Sequence, residues 1–437
     1  MKSQTIFQNN IRISPSKGFV IVEIMIAFSV FIFFTVSTFS LVSSMNALRI
    51  WSIKELDRME KLVSDFNNGA YENVIRYGND SFINSNALFS LSKSDYIKAW
   101  GRNTCDRNLN FDKEKIKYFD KGIDVASSNP STDLEVRSGI VYLTTDSNTA
   151  SYPDFYIVDT KDASSPKIMS SINTGPGLSA VEVAGPYAFV AQASTINQIQ
   201  ILDIHDRTKP SIISQLRIPA PTPTTTLPFA KSIFYSKGYI FVGTSKWDGS
   251  EFSIIDVSNI KTPVPVGQFE TGTLVNDIYV ENNKAYLASS DEKQLRVLDV
   301  NDKQHPFLLD TFSPTGWQTQ EGKVIDFFEG SMSFGRTVGG FNVLTNYEFF
   351  KFSSTTDMLS SSNHMDVPGG VYGVLQRPQY NFLLTHQSSK ELQIFNSSMS
   401  QKIFEQPISS LVTKMACDGH DLYFSTGDSR GFSILKL

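Results

Sequence analysis

The chain begins with a polar segment that is followed by a long apolar run. Residues 1–18 are mostly polar, and no side chain from Ile24 to Leu48 carries a charge. At ~1.5 Å per residue this run would form a helix of roughly 37 Å, longer than the ~30 Å hydrocarbon core of a bilayer. Glu23 stands at its start, where a carboxylate is costly and needs a partner. The pattern predicts a membrane-embedded helix with a functional glutamate.

The helical pattern continues beyond the uncharged run. Leu56, Met59, Val63 and Phe66 form one apolar stripe, while charged residues occupy the other faces. The Asn67–Gly69 segment is a plausible end for this helix. We therefore expect one long helix over 19–69 that is amphipathic in its second half. The pattern over 70–130 is irregular, and we interpret that segment as a connector.

From about residue 131 the apolar pattern repeats every 40 to 53 residues as short strand-like cores. The cores are Phe155–Asp159, Ile199–Asp203, Phe252–Asp256 and Leu295–Asp299, with weaker copies at Phe341–Thr345, Leu392–Asn396 and Phe432–Lys436. Other short strand-like runs precede each core. Four strands per period of 40–50 residues are typical of a β-propeller. Seven copies predict seven blades.

The last copy reaches only its third strand at Leu437, so we expect an upstream segment to supply the fourth. The run Lys115–Ala126 is the candidate. Cys417 lies in this last blade and Cys105 lies in the connector, and they are the two cysteines of the chain. We predict a Cys105–Cys417 disulfide that joins the ends of the ring, which an exported domain permits. The alternative is two unrelated thiols.

In the first four repeats a proline lies seven residues after the aspartate that ends the core. A short carboxylate at a strand end accepts backbone N–H groups in a turn, and a proline suits the start of an edge strand. We therefore interpret these aspartates as turn builders rather than catalysts. They are Asp159, Asp203, Asp256 and Asp299.

The N-terminal segment resembles the type IV pilin and pseudopilin family in its Lys17-Gly18, Phe19 and Glu23. The resemblance implies that a prepilin peptidase cleaves between Gly18 and Phe19 and that Phe19 becomes N-methylated. It also implies that Glu23 pairs with the N-terminal amine of a neighbouring subunit during assembly. An ordinary signal anchor remains the alternative, because the basic leader fits a cytoplasmic flank. That alternative leaves Glu23 and the Gly18-Phe19 pair unexplained.

The Asp…Pro repeats resemble the LVIVD-repeat family of propellers, in which the repeat defines a fold without fixing one activity. The chain is thus expected to be mainly β, with a seven-bladed β-propeller preceded by a long pilin-like α-helix. The expected domains are a prepilin leader at 1–18, the transmembrane and stem helix at 19–69, a connector with a possible propeller-closing strand at 70–130, and the propeller at 131–437.

Composition narrows the function. The net charge is −5, and removal of the three basic leader residues gives −5 − 3 = −8 from Phe19 onward. With no basic stripe, this balance argues against nucleic-acid binding. The five histidines are scattered, and no motif indicates a metal, a cofactor or a catalytic group. We therefore expect a protein that is not an enzyme.

Three longer segments mark a possible ligand face: Ile218–Pro228, Ser313–Gly322 and Ser353–Pro368. Each is expected to link an outer strand to the next inner strand. Trp247 and Trp317 are expected in loops of the same face, where exposed aromatic rings would suit a glycan or protein ligand. The alternative is that both rings pack beneath their own loops.

These observations together indicate a minor type IV pilin, or a pilin-like subunit, that displays a propeller binding head. The resemblance implies a single-pass protein of the inner membrane that later joins an extracellular pilus or pseudopilus. Its partners would be prepilin peptidase, other pilin subunits and an unknown surface glycan or protein. Two alternatives stay open: a pseudopilin of a type II-like secretion system, and an exported propeller enzyme anchored by the helix.

Overall fold

The computed structural model describes residues 104–105, 114–125, 129–147, 151–222, 225–314, 320–328, 331–337, 347–351, 359, 361–408 and 411–437. All of them belong to the second of two compact units of the chain, Val63–Leu437. The predicted helix and its residues Gly18, Phe19 and Glu23 lie outside the described residues. Within these ranges, no helix is both long and apolar enough to span a bilayer.

The regular elements of the described residues are strands. The first two are β1 (Thr104–Cys105) and β2 (Lys117–Phe119). Blades 1 to 3 contain β3 (Ser131–Arg137), β4 (Ile140–Thr145), β5 (Phe155–Asp159), β6 (Lys167–Ile172), β7 (Leu178–Ala184), β8 (Tyr187–Gln192), β9 (Ile199–Asp203), β10 (Ser211–Leu216), β11 (Ala230–Ser236), β12 (Tyr239–Thr244), β13 (Phe252–Asp256) and β14 (Val264–Phe269).

The remaining blades follow in chain order. Blades 4 and 5 contain β15 (Val275–Glu281), β16 (Lys284–Ser289), β17 (Leu295–Asp299), β18 (Phe307–Phe312), β19 (Gly322–Phe328), β20 (Ser331–Arg336), β21 (Tyr347–Lys351) and β22 (Ser361–Met365). Blades 6 and 7 contain β23 (Val371–Gln376), β24 (Tyr380–Thr385), β25 (Leu392–Asn396), β26 (Lys402–Gln406), β27 (Val412–Gly419), β28 (Asp421–Thr426) and β29 (Phe432–Lys436).

Seven sheets form a closed ring, which confirms the predicted seven-bladed propeller, and the strands of the first six sheets are antiparallel. Each of the first six blades has four strands in sequence order from the centre outward. The inner strand of every blade packs against that of the next, and β27 packs against β3 to close the ring. The two middle strands of a blade are covered on both faces by neighbouring blades. This is why cores such as Phe155–Val158 are apolar without alternation and fully buried.

Blade 7 is completed from both ends of the domain. Its inner three strands are β27, β28 and β29, and β2 forms its outer strand with Lys117 opposite Lys436 and Phe119 opposite Ile434. The candidate run Lys115–Ala126 contains this strand. A Cβ on Gly122 would lie 2.0 Å from the Arg430 carbonyl oxygen, so only glycine fits where the chain turns toward blade 1.

The short strand β1 adds to the inner edge of blade 7. It runs parallel to β27, with Cys105 opposite Gly419. Cys417, two residues before that glycine, is buried and disulfide-bonded. The side chain of Cys105 lies outside the described residues, so the Cys105–Cys417 pairing stays a prediction. The backbone pairing brings the two segments together as that prediction requires.

The predicted core of the fifth blade is wrong. Phe341–Thr345 was expected to be its third strand, whereas the structure places that strand at Tyr347–Lys351, with Tyr347 opposite Gly335. The Tyr347 side chain is buried within the blade, and its hydroxyl lies 2.8 Å from the Ser333 hydroxyl. Packing and this contact favour the aromatic run over the weaker repeat match. Consequently the predicted link Ser353–Pro368 includes the outer strand β22, and only 366–370 lead to β23.

The Asp…Pro repeats build turns, as predicted. The four aspartates that end the third strands each accept a hydrogen bond from the backbone N–H two residues later, at 2.7–3.0 Å. The prolines stand immediately before the outer strands β6, β10, β14 and β18, where a missing N–H costs nothing to the sheet. They are Pro166, Pro210, Pro263 and Pro306.

Buried carboxylates on the inner strands join neighbouring blades. Each accepts a hydrogen bond from a backbone N–H of the next inner strand, a charge-assisted contact. The pairs are Asp133 Oδ2 with Val181 N at 3.0 Å, Glu135 Oε2 with Val183 N, Asp277 Oδ2 with Ile325 N at 2.9 Å, and Asp326 Oδ2 with Gln376 N at 2.8 Å. These contacts hold blades 1 and 2, 4 and 5, and 5 and 6 together.

Asp154 fixes the connection between blades 1 and 2. Its side chain is fully buried and accepts hydrogen bonds from the Thr174 backbone N–H at 2.7 Å and from the Thr174 hydroxyl at 2.8 Å. Burial raises the pKa of Asp154 from 3.8 to about 6, although the Thr174 hydrogen bonds oppose the shift. The folded protein therefore retains this proton to a higher pH than the unfolded chain does.

Removal of the predicted disulfide should destabilise the ring closure. We expect Cys105→Ser to lower the free energy of unfolding by ~2–5 kcal/mol, because the bridge restricts the unfolded chain. Urea unfolding with and without reductant measures this loss. Reduction should destabilise the wild-type protein and leave Cys105→Ser unchanged. Peptide mapping without reductant that finds both thiols free would contradict the prediction.

The Asp154→Asn variant should remove part of the pH dependence of stability. Between pH about 4 and 6 the folded state binds more protons at this site, so the free energy of unfolding falls as pH rises through that window. Asparagine has no such proton. We expect the wild-type value to fall relative to the variant by up to ~3 kcal/mol from pH 4 to pH 7 in urea unfolding.

The matched control for this experiment is Asp162→Asn, because Asp162 is exposed and a hydrogen bond from the Ser164 hydroxyl lowers its pKa. The wild-type value should show no such decline relative to this control between pH 4 and pH 7, because Asp162→Asn retains Asp154. Parallel pH profiles for the wild-type protein and Asp154→Asn would contradict the assignment.

Candidate ligand-binding site

Every inner strand contains a β-bulge at its second residue. In all seven blades the pairing with the next strand skips that residue. A bulge takes a residue out of the ladder and changes the direction of its side chain. We name these seven residues the bulge ring: Thr132, Ser179, Lys231, Asn276, Lys323, Tyr372 and Thr413. All seven are polar, and all line one cavity of about 730 Å³.

This cavity is the mouth of the central channel on one face of the propeller. It is also lined by Phe229 and Leu411, which come just before inner strands, and by Asp146 and His386, which follow second strands. The connections from an outer strand to the next inner strand lie on this face. The predicted insertions before β11 and β19 therefore belong to the same face as the channel mouth.

Three members of the bulge ring form hydrogen bonds between neighbouring blades. Each donates a hydrogen bond to the carbonyl of the first residue in the next inner strand. The contacts are Thr132 Oγ1 to Leu178 O at 2.7 Å, Asn276 Nδ2 to Gly322 O at 2.8 Å, and Thr413 Oγ1 to Ser131 O at 3.1 Å. In blade 3 the neighbouring Ser232 makes the equivalent contact to Val275 O at 3.0 Å. Lys231 therefore does not form the contact between blades 3 and 4.

The two lysines of the bulge ring line the mouth without a salt bridge in the described residues. Within the described part of the chain, neither Lys231 nor Lys323 forms an ion pair. Lys231 is exposed and Lys323 is partly buried. Burial lowers the pKa of Lys323, and the positive charge of Lys414 lowers it further, although Glu321 has the opposite effect. The ammonium groups of Lys231 and Lys414 therefore lie close enough to that of Lys323 to repel it.

An ion pair across the channel forms the floor of the mouth. Lys414 Nζ in blade 7 lies 3.4 Å from Asp277 Oδ1 in blade 4, on the opposite side of the ring. The Asp277 side chain is 2% exposed, and that of Lys414 is 23% exposed. Together with Asp133 they line both the mouth and a deeper space of only about 40 Å³. The wide cavity therefore ends at this level.

A stacked pair of rings forms part of the wall. The Tyr372 and His386 rings are nearly parallel, with their centroids 3.4 Å apart. His386 Nε2 donates to the Val412 carbonyl at 2.8 Å, because a carbonyl oxygen only accepts. Burial lowers the pKa of His386, which favours the neutral ring at pH 7. Its Nδ1 is then a hydrogen-bond acceptor.

Trp247, which the sequence predicts for the ligand face, does not expose its ring at the rim. Trp247 lies in a loop of that face but is only 6% exposed, and its Nε1 donates to the Ser250 carbonyl at 3.1 Å. A Cβ on Gly249 would lie 2.6 Å from the indole ring, so the ring packs beneath its own loop, as in the alternative interpretation. Trp317 lies outside the described residues. Phe229 and Leu411, 40% and 58% exposed, supply apolar surface at the mouth.

The bulge ring was missed in the sequence, although a signal for it exists. The inner-strand segments apparent in the repeats begin at Ala180, Asp277 and Lys414, one residue after the bulge in each case. Alignment of the seven repeats one residue earlier shows a polar residue in every copy. The direction of this side chain depends on the bulge, and the residue types alone do not indicate a bulge. In the ranges that the structure describes, no cluster of His, Cys, Asp and Glu has the arrangement of a metal site.

Comparison with known proteins identifies the repeat. The model of the LVIVD repeat matches residues 179–216 and 229–271, which correspond to blades 2 and 3. The chain therefore contains LVIVD repeats, as the resemblance predicted. Among curated proteins, none matches the sequence. A similar solved structure is that of the computationally designed Ika8 protein, which is 9% identical, with 72% of this chain and 99% of that chain covered and a TM-score of 0.49.

Loss of the cross-channel ion pair should destabilise the propeller. Lys414→Met leaves the buried Asp277 carboxylate without its cation, and we expect the free energy of unfolding to fall by ~1–3 kcal/mol. Lys323→Met is the matched control, because Lys323 has no ion pair within the described residues and its burial disfavours the charge. That control should be neutral or stabilising in urea unfolding at pH 7. Equal losses in both variants would contradict the assigned role of the pair.

Proposed function

We propose that this protein is a minor type IV pilin or pilin-like subunit whose LVIVD-repeat propeller is a binding head at the cell surface. The observation that carries the binding role is the channel mouth. It is a cavity of about 730 Å³, within the ~300–1,000 Å³ of small-molecule sites. Its wall combines polar side chains and unpaired lysines with exposed apolar groups on one face.

The chemistry of the mouth favours binding over catalysis. Thr132, Asn276 and Thr413 use their donors to hold adjacent blades together. The His386 Nε2 proton is engaged by a backbone carbonyl, and its ring is stacked against Tyr372 rather than hydrogen-bonded to a nucleophile. What the mouth offers a molecule from solution is positive charge, hydroxyl groups and an apolar rim. Those features hold a ligand and do not activate one.

Display at the surface is supported by the N-terminal resemblance. The pair Gly18-Phe19 suits cleavage by a prepilin peptidase and methylation, and Glu23 suits docking onto the amine of a neighbouring pilin. The uncharged run after Glu23 is long enough to hold the subunit in the inner membrane before assembly. A propeller of about 300 residues is bulky for lateral packing in a fibre, so we propose a minor rather than a major subunit.

A pseudopilin of a secretion system would share the same processing and stem. In that role the channel mouth would contact cargo or partner pilins instead of an outside surface. Fractionation distinguishes the two roles, because a minor pilin co-purifies with sheared fibres and a pseudopilin stays with the cell envelope. An anchored propeller enzyme would instead show turnover that is lost when residues of the channel are changed.

N-terminal sequencing and intact mass of the membrane or sheared-fibre form test the proposal. We expect a chain that begins at N-methylated Phe19, because the Gly18-Phe19 junction is the proposed cleavage site. Gly18→Val should retain the leader, since a branched side chain obstructs the position before the cut, and Ser16→Ala should be processed normally. A wild-type chain that still begins at Met1 would contradict pilin processing. The protein would then be a membrane-anchored propeller.

A further inference from the structure

We infer that the bulge ring binds an acidic sugar, with its carboxylate between Lys231 and Lys323 and its hydroxyl groups against the other polar members of the ring. This inference rests on the proposed binding function and names its ligand class. It is carried by the charges of the channel mouth, the chemistry of its wall and the polarity of its floor.

Two lysines that form no ion pair within the described residues give one side of the mouth its positive charge. Both oxygens of Asp133 accept backbone hydrogen bonds, from Leu134 N at 2.9 Å and from Val181 N at 3.0 Å. Asp277 is occupied by Lys414 and by the N–H of Ile325. The hydrogen bonds stabilise the Asp133 carboxylate, and Lys414 compensates the charge of Asp277. The other charged residues that line the mouth are Lys231, Lys323 and the exposed Asp146, and the Glu321 carboxylate acts on Lys323 from outside this lining.

The positions of these three charges favour a ligand with one acidic end. Lys231 and Lys323 form no ion pair within the described residues, so a carboxylate between them would give both lysines an anionic partner. Lys231 and Lys323 belong to blades 3 and 5, whereas Asp146 follows the second strand of blade 1 across the ring. A ligand with an acid at one end and hydroxyl groups at the other matches this separation, because Asp146 accepts a hydroxyl proton. Bound anion would also relieve the repulsion between the ammonium groups.

The wall suits a sugar better than a peptide. The Ser179 hydroxyl forms no hydrogen bond within the described residues, and the Thr132 and Thr413 oxygens retain acceptor capacity. The exposed ring of Phe229 offers an apolar surface to the C–H face of a sugar. Protein interfaces place an apolar anchor in a central pocket. Here the centre of the mouth is the charged pair of Lys414 and Asp277.

Calorimetric titration of the full-length protein in detergent micelles tests this inference. The probes are galacturonate and sialyllactose, each compared with its methyl ester, which keeps the shape and removes the charge. We expect the acids to bind and each methyl ester to bind at least tenfold more weakly. Affinity for the acids should also fall as salt rises, since the lysines contact water at the mouth.

Variants locate the site. Lys231→Gln with Lys323→Gln should weaken binding of the acids at least tenfold, whereas Lys231→Arg with Lys323→Arg should retain most of it. The matched control is Lys161→Gln with Lys209→Gln, which removes two exposed lysines from turns on the opposite face and should leave binding unchanged. Thermal unfolding checks that each variant is folded, and the comparison of acid with ester on the wild-type protein tests the charge requirement without any substitution.

Three results would overturn the inference: no binding of either acid, equal affinity for acid and ester, or unchanged binding in the glutamine variant. Binding of the esters and of neutral sugars at the mouth would leave the proposed binding function standing and remove only the acidic ligand. Failure of pilin processing is a separate result, because N-terminal sequencing detects it without any ligand. The two proposals therefore fail in distinguishable ways.

Discussion

The pairing of β2 with β29 is the contact on which the whole ring depends. It joins segments from the two ends of the domain, so its formation requires the longest loop closure in the propeller. Without β2, β29 would be an open sheet edge and blade 7 would lose cover for its apolar core. The backbone contacts of Ile123 and Val125 with the segment before β29 extend this closure toward blade 1. The channel exists only because the ring is closed.

Closure turns a local irregularity into a site. One bulge in one inner strand would redirect one side chain, whereas seven in a closed ring direct seven toward a common mouth. The residues of the bulge ring have two roles. Thr132, Asn276 and Thr413 form hydrogen bonds between adjacent blades. In blade 3 Ser232 forms that bond instead, and Lys231 is exposed to solvent. The site is therefore part of the same contacts that stabilise the fold.

Much of the fold could be predicted because its signals are local. The repeated cores and the Asp…Pro turns are formed by neighbouring residues, and the turn at Asp203, with its bond to the His205 N–H at 2.9 Å, needs no distant contact. Blade 5 shows the limit of such reasoning. There two apolar runs competed for one strand, and burial of Tyr347 against Ser333 in the preceding strand selected the second.

The amino-acid sequence is sufficient to predict the number of blades and the turns, because strand period and turn chemistry act over a few residues. It also contains the Gly18-Phe19 and Glu23 pattern on which the proposal of surface display rests. Packing in the closed ring buries Trp247, brings Lys414 to Asp277 across the channel, and places Lys231 and Lys323 in one cavity. Side-chain direction depends on register, bulges and the packing of blades that are distant in sequence, and these are properties of the closed ring.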